Sequence, residues 1–467
     1  MIPRLVLFGA TGDLAARYLF PALVALHAAG RLPARFSITG TARDALTDPA
    51  FRRHVTEALS TYAADQPAES RAAIVQATRY AAVDIADPAD VGRIIGAGED
   101  GPSVAAYLAV PPGVFADALR ALAQAGMPDG SRVAIEKPFG TSLDDARSLN
   151  ALVAELFGDA AERIVFRVDH VLGMATAQNL IGLRIANRAL DAFWNAEVVE
   201  QVAVLWEETI GLEGRAGYFD RAGALKDVMQ NHMLQVLALV AMEPPASLGA
   251  DDLRDAKVQA LRAVRSPGAD EMAERSRRAR YGAGTLAASR STAARQVPAY
   301  RDEAGVDPDR GTETLAEVAL EVDTPRWHGA RFVLRGGKAL AERRKGILVR
   351  FRPSTGAALL GGGPGTLWIG IDGPDDITLE LVGMSSDAAS ASQRVVLSSA
   401  PPSAALPAYG NVLADLLAGG SRFAVRGDEA EEAWRIVMPV IEAWDAGAVP
   451  LEEYPAGAVG LPARNGP

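Results

Sequence analysis

The sequence predicts an α/β protein in which a doubly wound parallel sheet is followed by an α+β domain built on one large antiparallel sheet. Three observations predict it. Short apolar strands alternate with helical segments through the first half, the order that a parallel sheet covered by helices requires. A glycine-bearing turn, Gly9-Ala10-Thr11-Gly12, joins the first strand to the first helix. From about residue 198 the texture changes to short strands at antiparallel-like spacing, some separated by long helices. The domains are therefore set at 1–170 and 171–467.

Element by element, Arg4 to Phe8 is a short apolar strand running into the glycine turn, and Leu14 to Ala28 has helical periodicity that stops at Gly30. Phe36 to Thr39 reads as the second strand, leading into Gly40-Thr41-Ala42-Arg43. Val104 to Val110 and Arg132 to Glu136 are further strands, with Val114 to Gly126 helical between them. In the second half, strands are expected over Val198 to Trp206, Ala316 to Val322, Ala330 to Leu334, Gly346 to Phe351, Thr366 to Ile371 and Ile377 to Leu381. Val228 to Met242 is a long helix. Ser266 to Arg310, mixed in charge, Pro and Gly, is expected to cross the surface as a loop. Gly361 to Gly365 is a turn cluster and not a phosphate loop, since no helix start with Lys-Ser/Thr follows it.

Composition narrows the chemistry. At 467 residues, 49% apolar and 22% charged, the chain has material for two or three globular domains. A formal charge of −11 disfavours general binding to nucleic acid or anionic membrane, though it leaves room for a local basic pocket. The absence of cysteine excludes disulfides, thiolate metal sites, iron–sulfur clusters and cysteine nucleophiles. No signal peptide is read in MIPRLVLFGATGDLA, and no run of 18 apolar residues occurs, so a cytoplasmic protein is expected. Five histidines, His27, His54, His170, His232 and His328, are the side chains that titrate near pH 7.

Gly9-x-x-Gly12-x-x-Ala15 sits between a strand and a helix, the context of a dinucleotide turn. Glycines let the backbone turn sharply and approach a pyrophosphate, while the helix start offers N–H donors and a partial positive charge. The spacing departs from G-x-G-x-x-G, and a plain glycine turn remains the alternative. After the second strand, an acidic residue would bind a ribose 2′-hydroxyl, but Arg43 stands there and suits the 2′-phosphate of NADP. Asp44 follows directly; it either caps a helix or binds the 2′-hydroxyl of NAD, so dual cofactor use stays open.

Three constellations carry candidate chemistry. Lys137, in Glu136-Lys137-Pro138, lies at the carboxyl end of a parallel strand, where doubly wound sheets bind ligands. Taken alone it is equally an ordinary strand-end lysine. Asp169-His170 sets a carboxylate beside an imidazole, an arrangement also common as plain surface polarity. Asp227 with Gln230 fits a helix cap, and His232 lies one turn inside among Met229, Met233 and Val236. A polar imidazole on an apolar face needs a partner, and a satisfied core histidine is the default reading of it.

These residues, with their neighbours, resemble the glucose-6-phosphate dehydrogenase family. The likeness is carried by Gly-Ala-Thr-Gly-Asp-Leu-Ala at 9–15, Glu-Lys-Pro-Phe-Gly at 136–140 and Arg-Val-Asp-His-Val-Leu-Gly at 167–173. Gly-Tyr-Phe-Asp at 217–220, Asp-Val-Met-Gln-Asn-His at 227–232 and Gly-Lys-Ala-Leu-x-Glu-Arg at 337–343 continue it in family order. Weaker echoes follow at 297–301 and 453–457. The resemblance implies that His232 is the base taking the anomeric hydroxyl proton, with Asp169 orienting its ring. It implies Lys137 contacting both sugar and cofactor, Glu208 and Asp227 binding sugar hydroxyls, His170 binding the substrate phosphate, and Lys338 and Arg343 reaching the substrate. Gly9, Thr11, Gly12, Asp13, Leu14 and Arg43 would hold NADP, and no metal is implied. A homodimer or dimer of dimers, formed through the second domain's sheet, is the expected assembly. The partner the resemblance implies is a small sugar phosphate, with no nucleic acid and no membrane expected.

The sequence also departs from the family. The phosphate segment usually reads Asp-His-Tyr-Leu-Gly-Lys, and here it reads Asp169-His170-Val171-Leu172-Gly173-Met174. Neither Val171 nor Met174 can donate to a phosphate. Loss of one charge-assisted contact costs about 1.5–3 kcal/mol. Ala16-Arg17-Tyr18 likewise stands where two or three cations often occur. Two enzyme readings follow: a glucose-6-phosphate 1-dehydrogenase, or a paralogous aldose dehydrogenase acting on an unphosphorylated or differently phosphorylated sugar. A non-catalytic nucleotide-binding protein that keeps the fold is the third reading.

Overall fold

A computed structural model describes residues 1–96, 101–214, 216–288, 293–354, 356, 362–372, 375–384, 392–401 and 404–461. The chain forms two compact units, one of residues 1–175, 245–256 and 403–431 and one of 176–244, 257–402 and 432–467.

The first unit is built on a sheet of β1 (Arg4–Phe8), β2 (Ser37–Ala42), β3 (Thr78–Ala82), β4 (Val104–Leu108), β5 (Arg132–Glu136) and β6 (Val165–Val168), with β18 (Ala424–Val425) at one edge. The order is β18-β6-β5-β4-β1-β2-β3, parallel throughout except for β18, which runs antiparallel to β6. Every residue of β4 and β5 is buried, as expected where helices cover both faces of a parallel sheet. The 170/171 boundary read from the sequence passes over two later segments that pack here. In the helix Ala408–Leu417, Tyr409, Val412, Leu413, Leu416 and Leu417 join the same apolar core as Leu5, Leu7 and Phe20. The buried Arg132 guanidinium donates to Gly420 O and, at 2.9 Å, to Ser421 Oγ, tying down the loop beyond that helix.

The second unit contains β7 (Val199–Glu207), β8 (Val264–Arg265), β9 (Ser276–Gly282), β10 (Gly284–Leu286), β11 (Arg295–Val297), β12 (Leu315–Val322), β13 (Arg331–Gly337), β14 (Arg344–Phe351), β15 (Thr366–Gly370), β16 (Ile377–Met384), β17 (Ser392–Ser399) and β19 (Leu451–Pro455). Its large sheet runs β17-β16-β15-β14-β7-β13-β12-β9-β19, with β8 paired to β12. The sheet is mixed and not wholly antiparallel, because β13 pairs with β7, and β19 with β9, in parallel. The expected surface loop over 266–310 is corrected. It supplies β9 to the large sheet and the β10–β11 hairpin; Ser276, Ala279 and Tyr281 of β9 are buried, and its arginines are half-buried and paired. Arg277, for example, donates to Glu452 Oε1 at 3.0 Å. Arg277, Arg278 and Arg280, spread over both faces of β9, broke the apolar alternation by which a half-buried strand is read. Gly361 of the turn cluster lies outside the described residues; 362–365 lead into β15 without a helix.

Candidate active site

The first unit collects its chemical residues beyond the carboxyl ends of its parallel strands, where the chain must turn back and leaves polar groups outside the sheet. Gly9 to Leu14 follow β1, Arg43 follows β2, Lys137 follows β5, and Asp169 and His170 follow β6. Gly9 has φ +79°, and a Cβ there would lie 2.2 Å from Ala109 O, so only glycine fits between the neighbouring strand ends. Its N–H and that of Ala10 donate to Thr41 O at 2.8 and 3.0 Å, which locks the turn to β2. Gly12 is exposed and begins the helical stretch, whose first turn leaves N–H groups without intrahelical acceptors. Asp13 is exposed and paired with Arg17 at 2.7 Å. Because β1 and β2 are neighbours, with Phe8 opposite Thr41, the glycine turn and the exposed Arg43 share one edge. A pyrophosphate at the turn and an anionic group at Arg43 therefore fit these residues. Asp44 caps no helix: the cap is Thr47, whose Oγ1 accepts from Ala50 N at 3.4 Å.

At the other strand ends, buried Glu136 accepts a hydrogen bond from the Tyr107 hydroxyl. Burial drives its carboxyl up to about 7, with the negative Asp169 adding to the rise and Tyr107 and Lys137 opposing it. The Lys137-Pro138 peptide is cis. Asp169 is buried and its Oδ1 accepts from Val171 N at 3.1 Å, shaping the short 3-10 turn His170–Gly173. The His170 ring stacks on Tyr409 with centroids 5.1 Å apart and planes 18° apart. Asn411 Nδ2 donates to Gly173 O at 2.9 Å, so the helix 408–417 holds this turn from behind. Val171 is fully buried and Met174 is half-buried.

In the second unit the register of the sheet assembles the site. Gly337 pairs with Glu207 in the parallel ladder, so the next residues, Lys338 and Glu208, leave the sheet side by side. Lys338 Nζ lies 2.6 Å from Glu208 Oε2 and 3.9 Å from Asp227 Oδ2. Ala339, buried with φ +52°, turns the chain immediately after Lys338. Strand alternation then sorts the charges. Lys345 is opposite Trp206 and shares its face, whereas Arg344 is opposite Glu207 and shares the other. Accordingly Arg335 and Arg344 both bind Glu207, while Lys345 Nζ lies 4.7 Å above the Trp206 ring. Lys345 also reaches Glu208 Oε1 and Asp372 Oδ2, each at 3.0 Å, and Arg343 reaches Asp372 Oδ2 at 2.7 Å. Burial alone would raise the Glu208 carboxyl, but Lys338 and Lys345 overcome it and hold the group down to about 2.

Asp227 and His232 lie on a π-helical segment, Leu225–Met233, that continues as the α-helix Leu234–Ala241. Such wide turns are rare and frequent at functional sites. Asp227 does not cap this helix, as the sequence suggested. It lies inside the segment facing Lys338, and the leading N–H, of Leu225, donates to Glu313 Oε1 at 2.9 Å. The segment packs closely on the sheet because β13 offers Gly336, where a Cβ would meet Val228 at 2.8 Å. His232 is 3% exposed, with its ring 5.3 Å from that of Trp206. Elsewhere, His27 Nδ1 bonds Ser70 Oγ at 3.0 Å and His54 stacks on Phe51, both structural roles.

Comparison with known proteins places this arrangement. The family model described as the glucose-6-phosphate dehydrogenase NAD binding domain matches residues 6–179, and that of the C-terminal domain matches 181–465. The chain belongs to the glucose-6-phosphate dehydrogenase family. Glucose-6-phosphate 1-dehydrogenase of Zymomonas mobilis is 34% identical over all of this chain and 98% of its own length. That of Mycolicibacterium smegmatis is 33% identical over 97% of this chain and 93% of its own. A solved glucose-6-phosphate dehydrogenase in complex with glucose 6-phosphate superposes with a TM-score of 0.87 at 30% identity, covering 98% of this chain and 95% of that one. The second unit brings Glu208, Asp227, Lys338 and Arg343, all singled out from the sequence, into one ion-paired cluster, joined through Lys345 and Asp372. Sequence reading missed Lys345 and Asp372, although the alternation of β14 around Trp206 carried the signal for the lysine. It also missed Tyr409, which lies in a helix far along the chain from the motif it supports.

Proposed function

We propose that the chain is an NADP-dependent glucose-6-phosphate 1-dehydrogenase that oxidises the anomeric carbon to a lactone. His232 takes the proton of the anomeric hydroxyl, whose O–H electrons form C1=O as the C1 hydrogen departs with its bonding pair. A bound oxidised NADP would supply the hydride acceptor. Asp169 orients the imidazole and stabilises its charge, work suited to a buried carboxylate. Lys137 contacts sugar and cofactor, Glu208 and Asp227 accept from sugar hydroxyls, and His170 donates to the phosphate. Lys338 and Arg343 reach the substrate. Gly9, Thr11, Gly12, Asp13 and Leu14 cradle the pyrophosphate, and Arg43 selects the 2′-phosphate.

The observation that carries the reading is the match, over nearly the whole chain, to the enzyme solved with glucose 6-phosphate. It favours a phosphorylated substrate over the unphosphorylated sugar that Val171 and Met174 suggested. His232→Asn tests it: kcat should fall by about two to four orders of magnitude with cofactor affinity retained. Retained turnover would contradict the assignment of the base.

Dimerisation through the large sheet is part of the proposal. Its outermost pair, β16 and β17, leaves Leu381, Met384, Val395, Val396 and Leu397 exposed, an apolar edge that an isolated chain would leave open to water. Light scattering that returned the 49.0 kDa mass of a single chain would contradict it. Among the described residues no helix is long and apolar enough to cross a membrane, and we place the enzyme in the cytoplasm; fractionation with the membrane pellet would overturn that.

A further inference from the structure

Glu208 is gripped on both oxygens: Lys338 Nζ lies 2.6 Å from Oε2 and Lys345 Nζ 3.0 Å from Oε1. A carboxylate oxygen has two acceptor directions, so each keeps one for a further donor. Lys345 is itself 9% exposed at its side chain, lodged between Glu208, Asp372 and the face of Trp206. A buried ammonium is costly unless paired, and its pairing here fixes two carboxylates at once. We propose that Lys345 is a positioning residue of the sugar site, aligning Glu208 as the acceptor for a sugar hydroxyl while Asp372 anchors Lys345 and Arg343 together.

The charge count identifies what this cluster takes. Lys338, Lys345 and Arg343 face Glu208, Asp227 and Asp372, three cations against three carboxylates. A balanced cluster offers oriented donors and acceptors with no excess positive charge. It suits the uncharged, polyhydroxylated part of a sugar and not its phosphate dianion. Burial opposed by the two ammonium groups keeps Glu208 an acceptor across the working pH range.

The inference rests on the proposed sugar oxidation, so turnover of glucose 6-phosphate by the unaltered enzyme is measured first; its absence would remove both. Lys345→Met is then expected to raise KM for glucose 6-phosphate by about tenfold or more, the loss of one charge-assisted bond. kcat should change far less, and KM for NADP should hold. In a Glu208→Gln background the same change should add little, because the group it positions is already altered. Lys345→Arg, which keeps the charge should Lys345→Met not fold, should give a smaller rise in the same KM. An unchanged KM in the Lys345 variants, or an equal loss with and without Glu208, would overturn the inference while leaving the reaction assignment intact.

Discussion

The His232 imidazole lies 5.3 Å from the Trp206 indole, with the ring planes 34° apart. That relationship joins the proposed base to the sheet, since Trp206 sits on β7 opposite Lys345 and two residues before Glu208. One strand thus sets both the wall beside the proposed proton acceptor and the position of the proposed hydroxyl acceptor. A buried, packed ring loses little orientation on binding substrate, which is how a general base is held in line.

Arg43 reports cofactor choice. Arg43→Ala should raise KM for NADP by about ten- to a hundredfold, the loss of a charge-assisted contact, and leave KM for NAD nearly unchanged. Steady-state kinetics with both cofactors check it. Equal losses for the two would place the 2′-phosphate elsewhere.

The 3-10 turn offers a gain-of-affinity test. Val171 is fully buried, so a tyrosine there would overpack the turn, whereas the half-buried Met174 has room for change. Met174→Lys alone should lower KM for glucose 6-phosphate by about tenfold. The rate with free glucose should not respond. If both sugars responded alike, or neither did, the phosphate would not lie beside residue 174.

Glu136 sets a pH dependence of stability. Its carboxyl is raised in the fold to about 7, from an ordinary value of 4.5, chiefly by burial. The folded state therefore holds a proton that the unfolded chain releases earlier. Its contribution is complete below about 4.5 and is lost as pH rises through 7. Thermal unfolding between pH 5 and 8 should show stability falling, and Glu136→Gln, which keeps an acceptor for Tyr107, should flatten that slope. An unaltered slope would mean that other groups cause it.

Much of this was legible in the sequence. Strands β1, β4 and β5 read as apolar runs because they are buried on both faces, and the motifs at 9–15, 136–140 and 227–232 supplied the candidate site positions. What sequence reading missed depends on long-range pairing. β9 was hidden by arginines on both of its faces, and Ala408–Leu417 joins the first unit only through packing against distant core. Asp227 looked like a cap from its local pattern; its place inside the π-helical segment, facing the Lys338 that β13 brings in, depends on long-range pairing. Lys345 drew no notice for the same reason, its partners coming from β7 and from beyond β15.

The most direct test of the account is kcat/KM for glucose 6-phosphate against free glucose, with NADP as acceptor. Two or more charge-assisted contacts to the phosphate, each about 1.5–3 kcal/mol, predict a preference of about a hundredfold or more for glucose 6-phosphate. Equal values, or a higher value for glucose, would contradict the phosphate-dependent reaction and leave an aldose dehydrogenase in its place.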